Sequence, residues 1–291
     1  MNKLLAALAA TVVLAANAFT ITGAGASFPY PVYAKWASEF NKDTGNIVNY
    51  QSIGSGGGIK QINGKIVDFG ATDVAVADDE LKKNGQIQIP MVMGGVVLVV
   101  NLDGVKSNQI DLTMAQVVDV FSGKITNWKQ LGQGLPDMPI TLAVRADSSG
   151  TTGVFTQHLA NHSVDFKSTV GVGKTVKWPG NTVAGKGNAG VAAMVQQIKG
   201  TIGYVEYAYA KQGGLATTTI NGVEPSAAGF KSGKWILVAE TFIIVYPDGA
   251  NTSKVREFVE YCYNHDADAE ALDYVPLSKE KKAAALKLLG K

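Results

Sequence analysis

Three short loops hold the residues of this 291-residue chain best suited to chemistry: GAGASF (Gly23 to Phe28), GSGGG (Gly54 to Gly58) and DSSGTT (Asp147 to Thr152). Each follows a strand-like run, carries Ser or Thr among glycines, and precedes an apolar helical pattern. Glycine lets a backbone come close to a ligand, and a helix start offers unpaired N–H groups with a partial positive charge. A hydroxyl at such a place can cap the helix or donate to an anion. Any one of the loops alone reads as an ordinary N-cap. Three together, with Arg145 beside the last, point to an oxyanion site.

Other chemistries fit less well. GAGASF has Phe28 where the G-x-G-x-x-G dinucleotide fingerprint needs its third glycine, and STVGVGKT (Ser168 to Thr175) has Ser168 where a Walker A loop needs its first. His158 and His162 stand four apart on a helical pattern, but no H-E-x-x-H surrounds them and no third ligand is evident, so packing or solvent-facing roles suit them better. Gly54-Ser55-Gly56 is not a G-x-S-x-G elbow, and a triad drawn to His265 has no support from spacing.

The elements that must position these loops alternate between strand and helix. Strand-like runs occur at Phe19 to Thr22, IVNYQ, VDFGATD, IPMVMGGVVLVVN, ITLAVR and TFIIVYPDG. Between them, Val32, Trp36 and Phe40 mark one helix face. GSGGG reads as a tight turn ahead of a helix at IKQI, and Thr113 and Gly123 bracket TMAQVVDVFSG. Further patterns are TTGVFTQHLA, GVAAMVQQI, VREFVEYCYN and SKEKKAAALKLL, with TIGYVEYAYA placed among the helical and strand segments that follow Leu102. Such alternation implies an α/β fold with mainly parallel pairing. An apolar share of 46% supports a substantial core, and a net charge of +2 without long runs of one sign argues against a nucleic-acid partner or a polybasic membrane binder. The start, MNKLLAALAATVVLAANAF, has the layout of a signal peptide over residues 1–18 with cleavage before Phe19, and its apolar run falls short of the roughly 20 residues of a spanning helix. The expected product is a soluble exported protein without direct membrane insertion. Its only cysteine, Cys262, leaves no internal disulfide and no lipid anchor, and its setting predicts a small buried apolar residue.

ITGAGASFPYPVYAKWASEF, VNYQSIGSGGGIKQI, VDFGATD, RADSSGTTGVF, GKGNAGVAAMVQQIKGTIGYVEYAYA and TFIIV, in that order, resemble the periplasmic phosphate-binding proteins of bacterial phosphate ABC transporters. The likeness spans nearly all of the chain after residue 18. It implies an α/β, two-lobed type II periplasmic binding protein fold that closes over one phosphate in the cleft between its lobes. Lobe 1 would comprise residues 19–101 plus 241–291, and lobe 2 residues 102–240. Transferred position by position, the resemblance makes Ser27, Phe28, Ser55, Asp73, Arg145, Ser149, Gly150 and Thr151 phosphate ligands, with Asp147 binding Arg145 instead. It implies inorganic phosphate as ligand, a transient membrane-embedded ABC permease as partner, a monomer in the periplasm, and neither cofactor nor metal. The segment between Tyr209 and Thr241 is shorter than in such relatives, and GKWILVAETFIIV lacks their Trp-Pro-Ile.

These residue types suit phosphate. A buried dianion needs its oxygens almost fully hydrogen-bonded, since each missing partner costs about 1–3 kcal/mol. Helix-start N–H groups and hydroxyls supply neutral donors, and Arg145 a forked charged one that Asp147 would fix. An ionised Asp73 would accept the proton that phosphate keeps near neutral pH, and would repel sulfate, which has none. No histidine lies near the matched motifs, and no activated nucleophile or metal cluster is evident, so the expectation is a binding protein and not an enzyme. The alternatives are an exported phosphatase or phosphotransferase, or a receptor for another tetrahedral oxyanion such as arsenate.

Overall fold

The computed structural model describes residues 18–132 and 134–290, so residues 1–17 of the expected leader lie outside the described residues. The first half of the chain runs β1 (Thr20–Gly25), α1 (Tyr30–Thr44), β2 (Ile47–Ser52), α2 (Ser55–Asn63), β3 (Phe69–Thr72), α3 (Asp78–Asn84) and β4 (Ile87–Val100). Next come β5 (Asp111–Leu112), α4 (Met114–Phe121), β6 (Thr141–Arg145), α5 (Gly150–His162), α6 (Val164–Thr169), β7 (Thr182–Gly185), α7 (Gly187–Gln197) and β8 (Thr201–Glu206). The chain continues with α8 (Tyr207–Gln212), β9 (Ala216–Thr217), β10 (Thr219–Ile220), α9 (Ala227–Ser232) and β11 (Val238–Val245), and closes with α10 (Thr252–Asn264), α11 (Asp266–Glu270) and α12 (Lys279–Leu289).

Local signals account for many boundaries. Helix α1 buries Val32, Tyr33, Trp36 and Phe40 on one face and ends at Gly45, whose φ of 77° suits a residue without a Cβ. Thr113 and Gln116 form a reciprocal capping box at the start of α4. The glycine stretch expected to be a turn is instead the first turn of α2. Gly58 is there for contact: a Cβ on it would lie 2.5 Å from Gly25 Cα and 2.6 Å from Ala24 O, so the helix packs directly on the backbone of β1. That close approach outweighs the poor helix propensity of glycine. Cys262 is free and buried, as its apolar setting predicts.

The main sheet runs β2-β1-β3-β11-β4-β8-β6-β7, with β9 also paired to β4. Pairing is parallel among β2, β1 and β3 and among β7, β6 and β8, but antiparallel wherever β4 or β11 takes part in the main sheet. Two parallel blocks thus meet along two antiparallel strands, a more mixed sheet than alternation alone suggests. Strand β4 belongs to both blocks, pairing with β11 as far as Gly95 and with β8 from Val96. At that join the sheet is covered by rings: a Cβ on Gly94 would meet Phe28 at 2.8 Å, and one on Gly95 would overlap Phe230. Trp235 pins the same place by donating its indole N–H to Val96 O at 2.9 Å.

All the polar loops singled out above follow the carboxyl ends of parallel strands, after β1, β2 and β3 in one block and after β6 in the other. In open α/β sheets, ligands bind in the crevice outside those ends.

Candidate functional site

The loop after β1 is held by its carbonyls. Tyr209 donates to Ser27 O and Tyr274 to Phe28 O, both at 2.6 Å. The Phe28 ring is fully buried and meets Tyr274 edge-on, with centroids 6.4 Å apart. In a trans peptide the C=O and the following N–H point opposite ways, so anchoring Ser27 O turns the Phe28 N–H away from Tyr209. No acceptor among the described residues takes up that N–H, or the N–H groups of Ser55, Gly150 and Thr151. The last three sit at the starts of α2 and α5, where the helix dipole adds partial positive charge.

Ser55 is fully buried, and its hydroxyl accepts the Asp73 N–H at 3.2 Å. The Asp73 side chain is buried at the end of β3, and its Oδ1 has no hydrogen-bond partner among the described residues. Burial pushes this carboxyl up to about 7, against the lowering influence of Arg145, the Ser55 hydroxyl and Lys174. Gly150 faces it from the other block. A Cβ there would overlap Ser55 Oγ and lie 2.5 Å from Asp73 Oδ2, so only glycine lets the two blocks approach this closely.

Arg145 ends β6 with its side chain 1% exposed. Its Nε and Nη2 donate to Asp147 at 2.8 and 2.6 Å in a two-bond fork, and its Nη1 donates to Thr151 Oγ1 at 3.2 Å. Burial alone would raise the Asp147 carboxyl, but the hydrogen bonds and charge of Arg145 and the Gly187 N–H outweigh it and hold the carboxyl below its ordinary value. Ser149 caps α5 by accepting the Thr152 N–H at 3.0 Å, while its own N–H donates to Lys174 O. The two blocks touch here, since Gly56 N donates to Ser148 O at 3.0 Å.

Ser27, Phe28, Ser55, Asp73, Arg145, Asp147, Ser149, Gly150 and Thr151 therefore gather at one junction. Asn188, in the first turn of α7, belongs with them and was not singled out from the sequence. It is fully buried, and its side-chain N–H₂ reaches Ser27 Oγ at 2.9 Å and Thr151 Oγ1 at 3.2 Å. The available signal was a fourth loop of the same make, GKGNAG, running from β7 into α7. His158 and His162 are not part of the junction: each ring instead lies against a backbone carbonyl, of Val238 and His158 respectively. Among the described residues no cluster of His, Cys, Asp or Glu could hold a metal ion.

Chemically, the junction offers many donors and one carboxylate of tunable charge, which is what a protonated tetrahedral anion requires.

The chain is similar to known proteins over most of its length. The PBP superfamily domain matches residues 11–266 of the chain. The phosphate-binding protein PstS of Pasteurella multocida is 43% identical over 316 aligned positions, covering 95% of this chain and 92% of the relative. The phosphate-binding protein of Stenotrophomonas maltophilia superposes with a TM-score of 0.72 at 21% identity, covering 92% of this chain and 93% of that one. A high-affinity periplasmic phosphate-binding protein solved with bound phosphate gives a TM-score of 0.76 at 21% identity, covering 91% of this chain and 92% of that one.

Proposed function

The chain belongs to the PstS family of phosphate-binding proteins, within the PBP superfamily, and we propose on that premise that it captures one inorganic phosphate and delivers it to an ABC permease. The observation that carries the reading is the convergence of unpaired N–H groups at Phe28, Ser55, Gly150 and Thr151 on a buried Arg145 and Asp73. Those N–H groups, the hydroxyls of Ser27, Ser55, Ser149 and Thr151 and the outer edge of the Arg145 fork donate to the phosphate oxygens. Asp73 accepts the phosphate proton, and Asp147 orients Arg145.

Residues 19–101 with 241–291 act as one lobe and residues 102–240 as the other, except that β4 from Val96 pairs with the second block. Strand β4, paired with both blocks, serves as the hinge between them. The protein works as an exported monomer whose leader, residues 1–18, is removed. No helix among the described residues is long and apolar enough to cross a membrane, which is compatible with a receptor that meets the permease transiently.

Calorimetry on phosphate-stripped protein is the direct test. Phosphate should bind one to one with micromolar or tighter affinity, roughly −8 kcal/mol or better, and sulfate much more weakly. Small-angle scattering should record compaction on adding phosphate, and an unchanged radius of gyration would count against lobe closure. Arsenate, which also carries a proton, should compete. A coupled assay on a phosphomonoester should give no turnover; sustained release of phosphate would replace the receptor reading with an enzymatic one.

A further inference from the structure

We propose that Asn188 is a positioning residue that forces two hydroxyls of the cleft to act only as donors, and that it does so for Ser27 only when the cleft is closed. The inference rests on the phosphate reading above and adds a determinant to it.

The orientation of the carboxamide follows from its surroundings. The Glu206 backbone N–H, which can only donate, lies 2.9 Å from Asn188 Oδ1. The oxygen therefore faces Glu206, and the NH₂ faces the hydroxyls. A hydroxyl has one hydrogen to give and two lone pairs to fill. Ser27 Oγ receives the Asn188 backbone N–H at 3.0 Å and its Nδ2 at 2.9 Å. Thr151 Oγ1 receives Arg145 Nη1 and Asn188 Nδ2, each at 3.2 Å. With both acceptor positions filled on each oxygen, the remaining O–H of Ser27 and of Thr151 can only donate. A ligand between them must accept, as the oxygens of an anion do. Without Asn188 each hydroxyl is free to turn and accept instead, and the cleft loses its preference for a ligand rich in acceptors.

The two bonds to Ser27 cross the cleft. Ser27 follows β1, and Asn188 opens the helix after β7, in the opposite block. When the blocks part, the two bonds to Ser27 Oγ are lost and its hydroxyl regains free rotation. For Ser27, closure and hydroxyl polarity are therefore one event, and phosphate affinity includes the cost of setting both. All of these groups are buried, so the bonds face little competition from water.

The test is a double-mutant cycle of Asn188→Ala and Ser27→Ala, with inorganic phosphate titrated by calorimetry into the stripped full-length mature protein. Each single change should weaken binding by about tenfold or more. If Asn188 acts through the Ser27 hydroxyl, the double variant should lose clearly less than the product of the two single losses. Parent-like binding by Asn188→Ala, or losses that multiply, would overturn the proposal. Should Asn188→Ala fail to fold, Asn188→Leu replaces it in the cycle, because an uncharged side chain of similar size fills the space and removes the donor. The same two outcomes then overturn the proposal. A parent protein that ignores phosphate would instead defeat the underlying functional reading.

Discussion

Arg145→Ala should lower phosphate affinity by roughly a hundredfold or more, and Arg145→Lys should recover only part of that loss. A guanidinium carries five N–H donors. Two go to Asp147 and one to Thr151 Oγ1, which leaves two on the Nη1 and Nη2 edge for a ligand. Hydrogen bonds to a charged group contribute about 1.5–3 kcal/mol each, and about 1.4 kcal/mol is a factor of ten in affinity. Lysine keeps the charge, and with it much of the ion pair with Asp147. Its three donors on one atom cannot serve Asp147, Thr151 and the anion in the same geometry. The alanine variant should also be less stable without ligand, because Asp147 loses the partner that holds its carboxyl low. That loss should be largest near neutral pH, where the carboxyl is ionised, and should shrink as pH falls through the acid range and Asp147 protonates. Calorimetry and thermal unfolding on the three proteins separate the two effects. A lysine variant that binds phosphate like the parent would show that charge alone, without the planar fork, holds the anion.

The parts of this site that the sequence reveals are those determined by local chemistry. Ser55, Ser149 and Thr151 sit where strand ends turn into helices, and Arg145 and Asp147 are two residues apart at the end of β6. The parts it hides are set by distant partners. Asn188 meets Ser27 across 161 positions, and Tyr209 and Tyr274 reach the Ser27 and Phe28 carbonyls across 182 and 246. Nothing in a tyrosine's own neighbourhood says which carbonyl it will bind. The same division holds for the fold. Strand β4 is plain from its apolar run, yet its membership in two blocks depends on which strands lie beside it. Helix α3 escaped notice because DDELKKN buries only Leu81 and so shows no apolar face. The glycines of α2 read as a turn because the purposes of Gly58, contact with the backbone of β1, and of Gly56, contact with Ser148, are not local.

Asp73 should set the choice between phosphate and sulfate, and it should do so in a pH-dependent way. Burial raises its carboxyl to about 7. The sign follows directly. Above the raised value the carboxylate is ionised, accepts the proton that phosphate carries, and repels sulfate, which has none to give. Below it the neutral carboxyl repels neither anion and can itself donate. Discrimination should therefore be greatest on the alkaline side and fall as pH drops through about 7. Asp73→Asn fixes the neutral condition at every pH. Phosphate can still donate to the amide oxygen, so its affinity should change modestly, whereas sulfate escapes a buried charge and gains an N–H donor. The ratio of phosphate to sulfate affinity should fall by tenfold for about each 1.4 kcal/mol of lost repulsion, and the Asn variant should keep only the pH dependence that phosphate's own second ionisation gives that ratio. Titration of parent and variant with both anions at pH 6 and pH 8, roughly a unit either side of the raised value and at fixed ionic strength, measures this. If both affinities fall together while the ratio keeps its value and its pH profile, then Asp73 serves the turn after β3, and selectivity comes from the donors around Arg145.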